Sequence, residues 1–439
     1  MSEGLKPLLR RGLRSSVGKN ALSLYSLQFA NYVLPLITVP YLVRVLGAER
    51  FGTLSFGQGL MAYFTAVVSY GFDWSATRKI SVERSGAGVV SRVAANVWGA
   101  KLLLCILSFA GLILLIRLVP RVHEVSALVI ILFGGVLGSV LFPAWLFQGL
   151  ERMGPISAIN LSVRGLVVVA MFLLVKRPQD FLVYAALSSG GAVVAGVAGI
   201  AFAFHSLKIQ FIWPAWTGIW ESIREGWVLF LSNSAIVLYT SGNAFILGLM
   251  ANDAVVGYFT AGEKIIRAII GMLGPLSQAL FPKFSRLAEE SKARTLMWGR
   301  RILLAMGGTG LLLSAITFVS AGLIVRVVLG STYQPSVSVV RILALLPFLV
   351  AVSSVLGVQL MIPFGREKAV LSFVLVAGCL NLVLASILAP VWKADGMAVS
   401  VLVAELFISL AYFTYVWRTK LNPLGKVETS VESEPYRAC

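Results

Sequence analysis

Glu263, Lys264 and Arg267 stand inside an apolar stretch, Ala254 to Phe281, that otherwise reads as one membrane-spanning helix. Ten residues into such a helix is roughly 15 Å, about half of a ~30 Å hydrocarbon core. The three charges therefore fall near the bilayer centre, where each costs at least about 2.5–3.5 kcal/mol unless it faces a protein interior or a watery cavity. Glu263 and Arg267 are spaced i,i+4 and can pair on one helix face, leaving Lys264 as surplus positive charge. In the competing reading the helix starts later and the charges cap it at an interface, which strands the apolar GYFTAG outside.

Two more ionisable residues interrupt apolar runs. Arg164 lies early in the fifth span with Asn160 one turn before it on the same face; a cavity-facing cation is favoured over a side chain snorkelling to the interface. Glu405 lies halfway along the last span, where pairing within the C-terminal half and proton coupling are equal readings. Gln28 and Asn31 share a face of the first span, which also holds Pro35 and Pro40. Two prolines remove two backbone donors, so this span is expected to bend or break against protein or a cavity. A cavity lining and plain interhelical hydrogen bonding are then equal readings for Gln28 and Asn31.

The elements that must position these residues follow from composition. The 439 residues are 58% hydrophobic and 13% charged, with a mean hydropathy of +0.87. Such a chain is an all-α polytopic membrane protein and not a soluble enzyme. Apolar segments of roughly 20 residues or more give about twelve helices, near 20–45, 50–72, 97–119, 125–148, 156–175, 180–204, 227–250, 254–281, 302–328, 337–362, 369–390 and 395–417. The expected organisation is a basic N-terminus at 1–19, a six-helix lobe at 20–208, an amphipathic linker at 209–226, a second six-helix lobe at 227–417 and a disordered tail at 418–439.

The formal charge of +18 reports topology and not nucleic-acid binding, because 25 of the 37 Lys and Arg residues fall on loops on the side of the N-terminus, against 8 on the opposite side. That asymmetry makes both termini cytoplasmic and adds some attraction to anionic lipid headgroups. No small-residue cleavage site follows the first apolar run, so removal of a leader is not expected. Trp74, Arg78 and Lys79 suggest a short interfacial helix. The cluster Trp213, Trp216, Trp220 and Trp227 suggests anchoring at the headgroup level, with a carbohydrate-stacking platform as the minority reading.

An internal repeat joins the halves: GTLSFGQ from Gly52 to Gln58 and GYFTAGE from Gly257 to Glu263 each open the second span of their half. With six spans per half, this is a parallel repeat about an axis along the membrane normal, and two like bundles would enclose a midplane cavity. Gln58 joins the polar lining on that basis. Cys105, Cys379 and Cys439 form no disulfide framework, and no metal cluster, phosphate-binding loop or nucleophile elbow is present. No cofactor and no metal are expected.

Several strings carry a resemblance: PYLVRVLG with Pro40, Tyr41, Arg44 and Gly47; the following FG with Gly52; YGFDWSATRKIS with Tyr70, Gly71 and Arg78; and FQGLERMG with Gln148, Gly149, Glu151 and Arg152. In these the chain resembles the Wzx-type flippases of polysaccharide repeat units, in the multidrug/oligosaccharidyl-lipid/polysaccharide exporter superfamily. The resemblance implies two six-helix lobes around a central cavity in the bacterial inner membrane. It also implies passage of an undecaprenyl-pyrophosphate-linked oligosaccharide from the cytoplasmic to the periplasmic leaflet by alternating access. Expected partners are that substrate, membrane lipids, and a polysaccharide polymerase and chain-length regulator. Cations at Arg164, Lys264 and Arg267 would offset desolvation of the anionic linkage. An ion-coupled drug or cation antiporter, a non-transporting scaffold and a lipid-linked peptidoglycan precursor as cargo remain as alternatives.

Overall fold

A computed structural model describes residues 16–82, 87–207, 209–419 and 421–425, with side chains described for these apart from 16–33, 87, 232, 235, 238 and 239. The basic N-terminus up to residue 15, most of the expected tail and the side chains of Gln28 and Asn31 lie outside that description. Among the described residues the chain is helical, with no strand. In order, the helices are α1 Ser16–Ser69, α2 Phe72–Val82, α3 Ala87–Leu118, α4 Pro120–Glu124, α5 Ser126–Leu141, α6 Ala144–Gly149, α7 Met153–Leu174 and α8 Phe181–Ser206. They continue with α9 Trp216–Tyr239, α10 Asn243–Gly248, α11 Asp253–Gly271, α12 Gly274–Glu290, α13 Lys292–Val328, α14 Ser336–Leu343, α15 Leu346–Ser354, a π-helical turn Val355–Met361, and α16 Glu367–Arg418. Among the described residues eight helical stretches are long and apolar enough to cross a membrane, and a ninth arises when α11 and α12 count as one bent span.

The sequence places the breaks in the helices only partly. Pro35 and Pro40 do not break the first helix; α1 runs through both and departs from helical geometry at Gly47, with φ 72° and ψ 172°. A proline inside a membrane helix frees one carbonyl that neighbours can satisfy, whereas that positive φ with extended ψ is open to glycine at no steric cost. The expected single span from Ala254 to Phe281 is two helices: α11 ends at Gly271, α12 begins at Gly274, and they meet at 41°. The N–H groups of Met272 and Leu273 reach back only three residues, to Ile269 and Ile270. Pro275 offers no N–H to the carbonyl of Gly271, so the α-helical ladder cannot continue. The helix α16 likewise carries two expected spans joined across Lys393, at φ 51°.

The chain divides into two compact units, one of residues 1–46 and 53–237 and one of residues 47–52 and 238–439. In the first, Tyr70, Phe72, Val93, Val97, Trp145 and Ile219 bury against one another, so a core lies under α2 and α6. Helices α5 and α8 pack closely there, with Gly138 against Ala192 and Gly196 against Leu141. In the second, Phe284, Leu356, Leu360, Ile408 and Tyr412 form the core. Lipid tails are as apolar as these side chains, so such packing is held by close fit and hydrogen bonds more than by release of water. The segment expected as a linker contains no separate amphipathic helix. Residues 209–215 are non-helical, and Trp216, Trp220 and Trp227 ride on the exposed side of α9, which runs on to Tyr239.

Candidate functional site

The amphipathic α11 turns one face inward. Asn252 caps it, its side chain accepting from the Val255 N–H, and the buried face carries Val256, Phe259, Thr260, Glu263 and Ile266. Glu263 is 8% exposed, and its Oε1 accepts from Arg267 Nη2 at 2.7 Å and Nε at 3.0 Å. The same Nη2 donates to the main-chain carbonyl of Thr240 at 3.0 Å. The pairing expected from the i,i+4 spacing is therefore present, and one guanidinium joins α11 to the chain just before α10.

That pair lines a cavity of about 280 Å³ within the second unit, bordered mainly by residues of α11, α15 and α16. Glu405 of α16 also lines it, and the Ser353 hydroxyl of α15 donates to Glu405 Oε1 at 2.9 Å. Two carboxylates thus face one guanidinium across mostly aliphatic walls that include Ile266, Leu346, Val350 and Val401. Behind the wall, Gln359 on the π-helical turn donates Nε2 to the Ser277 carbonyl at 2.7 Å and its hydroxyl at 2.9 Å, while Ser277 and Ser354 share a 2.8 Å hydrogen bond. The turn packs closely on α16 at Gly357, where a Cβ would come within 2.6 Å of a carbon of the Tyr412 ring. A broken helix, a π-turn and an ion pair with its carboxylate buried meet at this cavity, a grouping typical of functional sites.

The surplus cation is elsewhere. Lys264 is not on the cavity lining; its Nζ sits 5.0 Å from the centre of the Phe51 ring, a cation–π contact. Successive helix residues point about 100° apart, so the face that carries Glu263 and Arg267 cannot also carry Lys264. Arg164 belongs to the first unit, where it is exposed, and Asn160 donates Nδ2 to the Ile156 carbonyl of its own helix at 3.1 Å. Gln58 is half-buried.

Of the motif positions, Gly47 and Gly52 belong to the second unit and the others to the first. Tyr41 donates its hydroxyl to the Val175 carbonyl at 2.7 Å. Gly71 and Tyr70 have φ of 80° and 44°, turning the chain into α2. Helix α2 docks on α6: the Thr77 hydroxyl reaches the Trp145 carbonyl at 3.1 Å, and Gly149 faces Ile80. Lys79 bridges to Glu221 at 3.1 Å and Glu225 at 3.2 Å on α9. Glu151 turns the chain after α6 at φ 55°, while Arg44, Arg78 and Arg152 are exposed and Gln148 is half-buried.

Sequence reasoning missed two groups. Ser353 was not distinguishable from any other small polar residue, since only its neighbour Glu405 gives it a role. Lys101, one of the 25 basic residues assigned to the side of the N-terminus, is 2% exposed inside α3. Its position five residues inside the expected span at 97–119 was the available signal.

Long apolar helices, packed into two units, define a multi-pass α-helical membrane protein. The chain matches the family described as polysaccharide biosynthesis protein over residues 17–288. It is 30% identical over 406 residues to the "Putative O-antigen transporter" of Escherichia coli (strain K12), covering 92% of this chain and 98% of that one. A protein of the same name from Shigella dysenteriae is 30% identical over 396 residues, covering 89% and 98%. The protein belongs to this polysaccharide biosynthesis family, in agreement with the resemblance carried by its sequence strings. Among solved structures, the lipid II flippase MurJ in an inward closed conformation is similar with a TM-score of 0.70 at 12% identity, covering 92% of this chain and 89% of that chain. A MATE protein in the bent conformation is similar with a TM-score of 0.59 at 14% identity, covering 94% and 97%. These two likenesses are of fold.

Proposed function

We propose that this protein is a flippase that carries a polyprenyl-pyrophosphate-linked oligosaccharide from the cytoplasmic to the periplasmic leaflet of the inner membrane, with both termini cytoplasmic. The observation that carries the reading is the relation to O-antigen transporters along 98% of their length. The chemistry supports it. A pyrophosphate and its glycan cannot cross hydrocarbon unaided, for the same desolvation reason that penalises a buried charge. In this reading the chain works as two six-helix lobes, 20–208 and 227–417, in alternating access. Arg164, Lys264 and Arg267 meet the anionic linkage, Arg through bidentate contacts and Lys as a point charge. Glu263 holds Arg267 when substrate is absent and yields it to pyrophosphate on binding, so occupancy biases the two-state transition. A polymerase and a chain-length regulator take the product onward.

One observation favours a second reading. The cavity of the second unit has two carboxylates, Glu263 and Glu405, to one guanidinium, a balance better suited to a cation than to a pyrophosphate. An ion-coupled antiporter would use that balance directly, and a flippase would use it for coupling at Glu405.

The test is reconstitution in liposomes with leaflet transfer of a polyprenyl-pyrophosphate oligosaccharide as the readout. Transfer by the wild type, with loss in Arg164→Ala, Lys264→Ala or Arg267→Glu proteins that insert and fold, supports the flippase and its cations. Absence of wild-type transfer with the cognate substrate and an ion gradient supplied, together with gradient-driven uptake of organic cations, moves the assignment to the antiporter.

A further inference from the structure

Lys101 sits well inside α3, 2% exposed, and its Nζ donates to the main-chain carbonyl of Ser139 at 3.1 Å. In a continuing helix that carbonyl would accept from the N–H of the residue four further on. That residue is Pro143, which has none. The helical ladder of α5 therefore stops one bond short: Phe142 N still reaches the Gly138 carbonyl at 3.0 Å, but Ala144 N turns back to the Phe142 carbonyl at 3.1 Å. The orphaned acceptor lies at the C-terminal, partially negative end of α5, where a cation is favoured. An ordinary basic residue at the membrane edge would keep its ammonium in water. This one is buried on the acceptor that proline left open.

We infer that Lys101 is a buried cationic cap that fixes the break at Pro143 and so positions α6 and the FQGLERMG string that begins within it. Helix α6 is held from two sides. On one, Lys101 sets where α5 ends; on the other, the Thr77 hydroxyl of α2 bonds the Trp145 carbonyl at 3.1 Å, and Gly149 lies against Ile80. Lys101 thereby acts on the family strings without belonging to one. The inference goes beyond the flippase reading and needs no cargo to be tested.

The experiment compares the full-length protein in nanodiscs with Lys101→Met, Lys101→Arg, Pro143→Ala and the Lys101→Met/Pro143→Ala double variant, reading amide hydrogen exchange at residues 144–150 and, as a reference, in α13. Losing a bond from a charged donor is worth on the order of a tenfold rise in exchange. Lys101→Met is expected to show that rise at residues 144–150 with α13 unchanged, and Lys101→Arg is expected to retain protection. In the Pro143→Ala background the Lys101→Met effect is expected to shrink to about twofold or less, because the substitution supplies an N–H for the Ser139 carbonyl. An equal rise in both backgrounds, no rise, or a rise spread evenly over α13 would each overturn the inference.

Discussion

Gly52 and Gly257 occupy matching places on one helix crossing: a Cβ on Gly52 would lie 1.7 Å from the carbonyl oxygen of Asp253, and a Cβ on Gly257 would lie 2.0 Å from that of Ala48. Each glycine thus faces the carbonyl of the residue four positions before the other. These are the glycines that open the two repeated strings. Because both obstacles are backbone, Gly52→Ala and Gly257→Ala cannot be relieved by a rotamer change. Each is expected to cost at least about 1–3 kcal/mol, seen as a lowered midpoint of thermal unfolding. A fully stable Gly257→Ala protein would contradict the crossing.

The Glu263–Arg267 pair predicts an asymmetric response. Removing Arg267 leaves Glu263, 8% exposed, without its partner. The cost for a fully buried pair would be about 3–5 kcal/mol; the Arg267 side chain is 45% exposed, so screening reduces this to roughly 1–3 kcal/mol. Glu263→Gln leaves Arg267 partly in water and is expected to cost less. Thermal unfolding of both variants in the same detergent checks the order.

A second polar link leads to the same carbonyl. Asn381 of α16 donates Nδ2 to Asn243 Oδ1 at 2.8 Å, and Asn243 Nδ2 reaches the Thr240 carbonyl, which also accepts from Arg267. Both asparagines are 0% exposed. Asn381→Leu is expected to destabilise by about 1–3 kcal/mol through loss of its bond to Asn243 Oδ1, and Asn243→Leu in addition is expected to cost less than the sum of the two. A double-mutant cycle on unfolding measures that coupling; strict additivity would argue against the bond.

Lys79 ties α2 to α9 through Glu221 and Glu225, with its side chain 31% exposed. Pairs this open contribute up to about 1 kcal/mol and are screened by salt. Lys79→Met is therefore expected to lower stability slightly at low ionic strength and to be nearly silent in ~1 M salt, where the Debye length is about 3 Å. Repeating the unfolding measurement at the two salt concentrations checks it.

By itself the sequence determined the helical membrane class of the protein and the pairing of Glu263 with Arg267. Each depends on composition or on spacing along one chain: apolar length decides what can cross a bilayer, and an i,i+4 spacing brings two side chains together on any α-helix. Contacts between helices were decided only by the tertiary structure. Lys264 left its neighbours for Phe51 because adjacent helix residues point apart, and Ser353 gained a role because α15 brings it to Glu405. The first helix passed two prolines and broke at Gly47, while Lys101, counted as a loop charge, was buried on the carbonyl that Pro143 left open. A proline announces that a carbonyl loses its partner. Which donor replaces that partner depends on a residue distant in sequence, and only the packing of helices brings the two together.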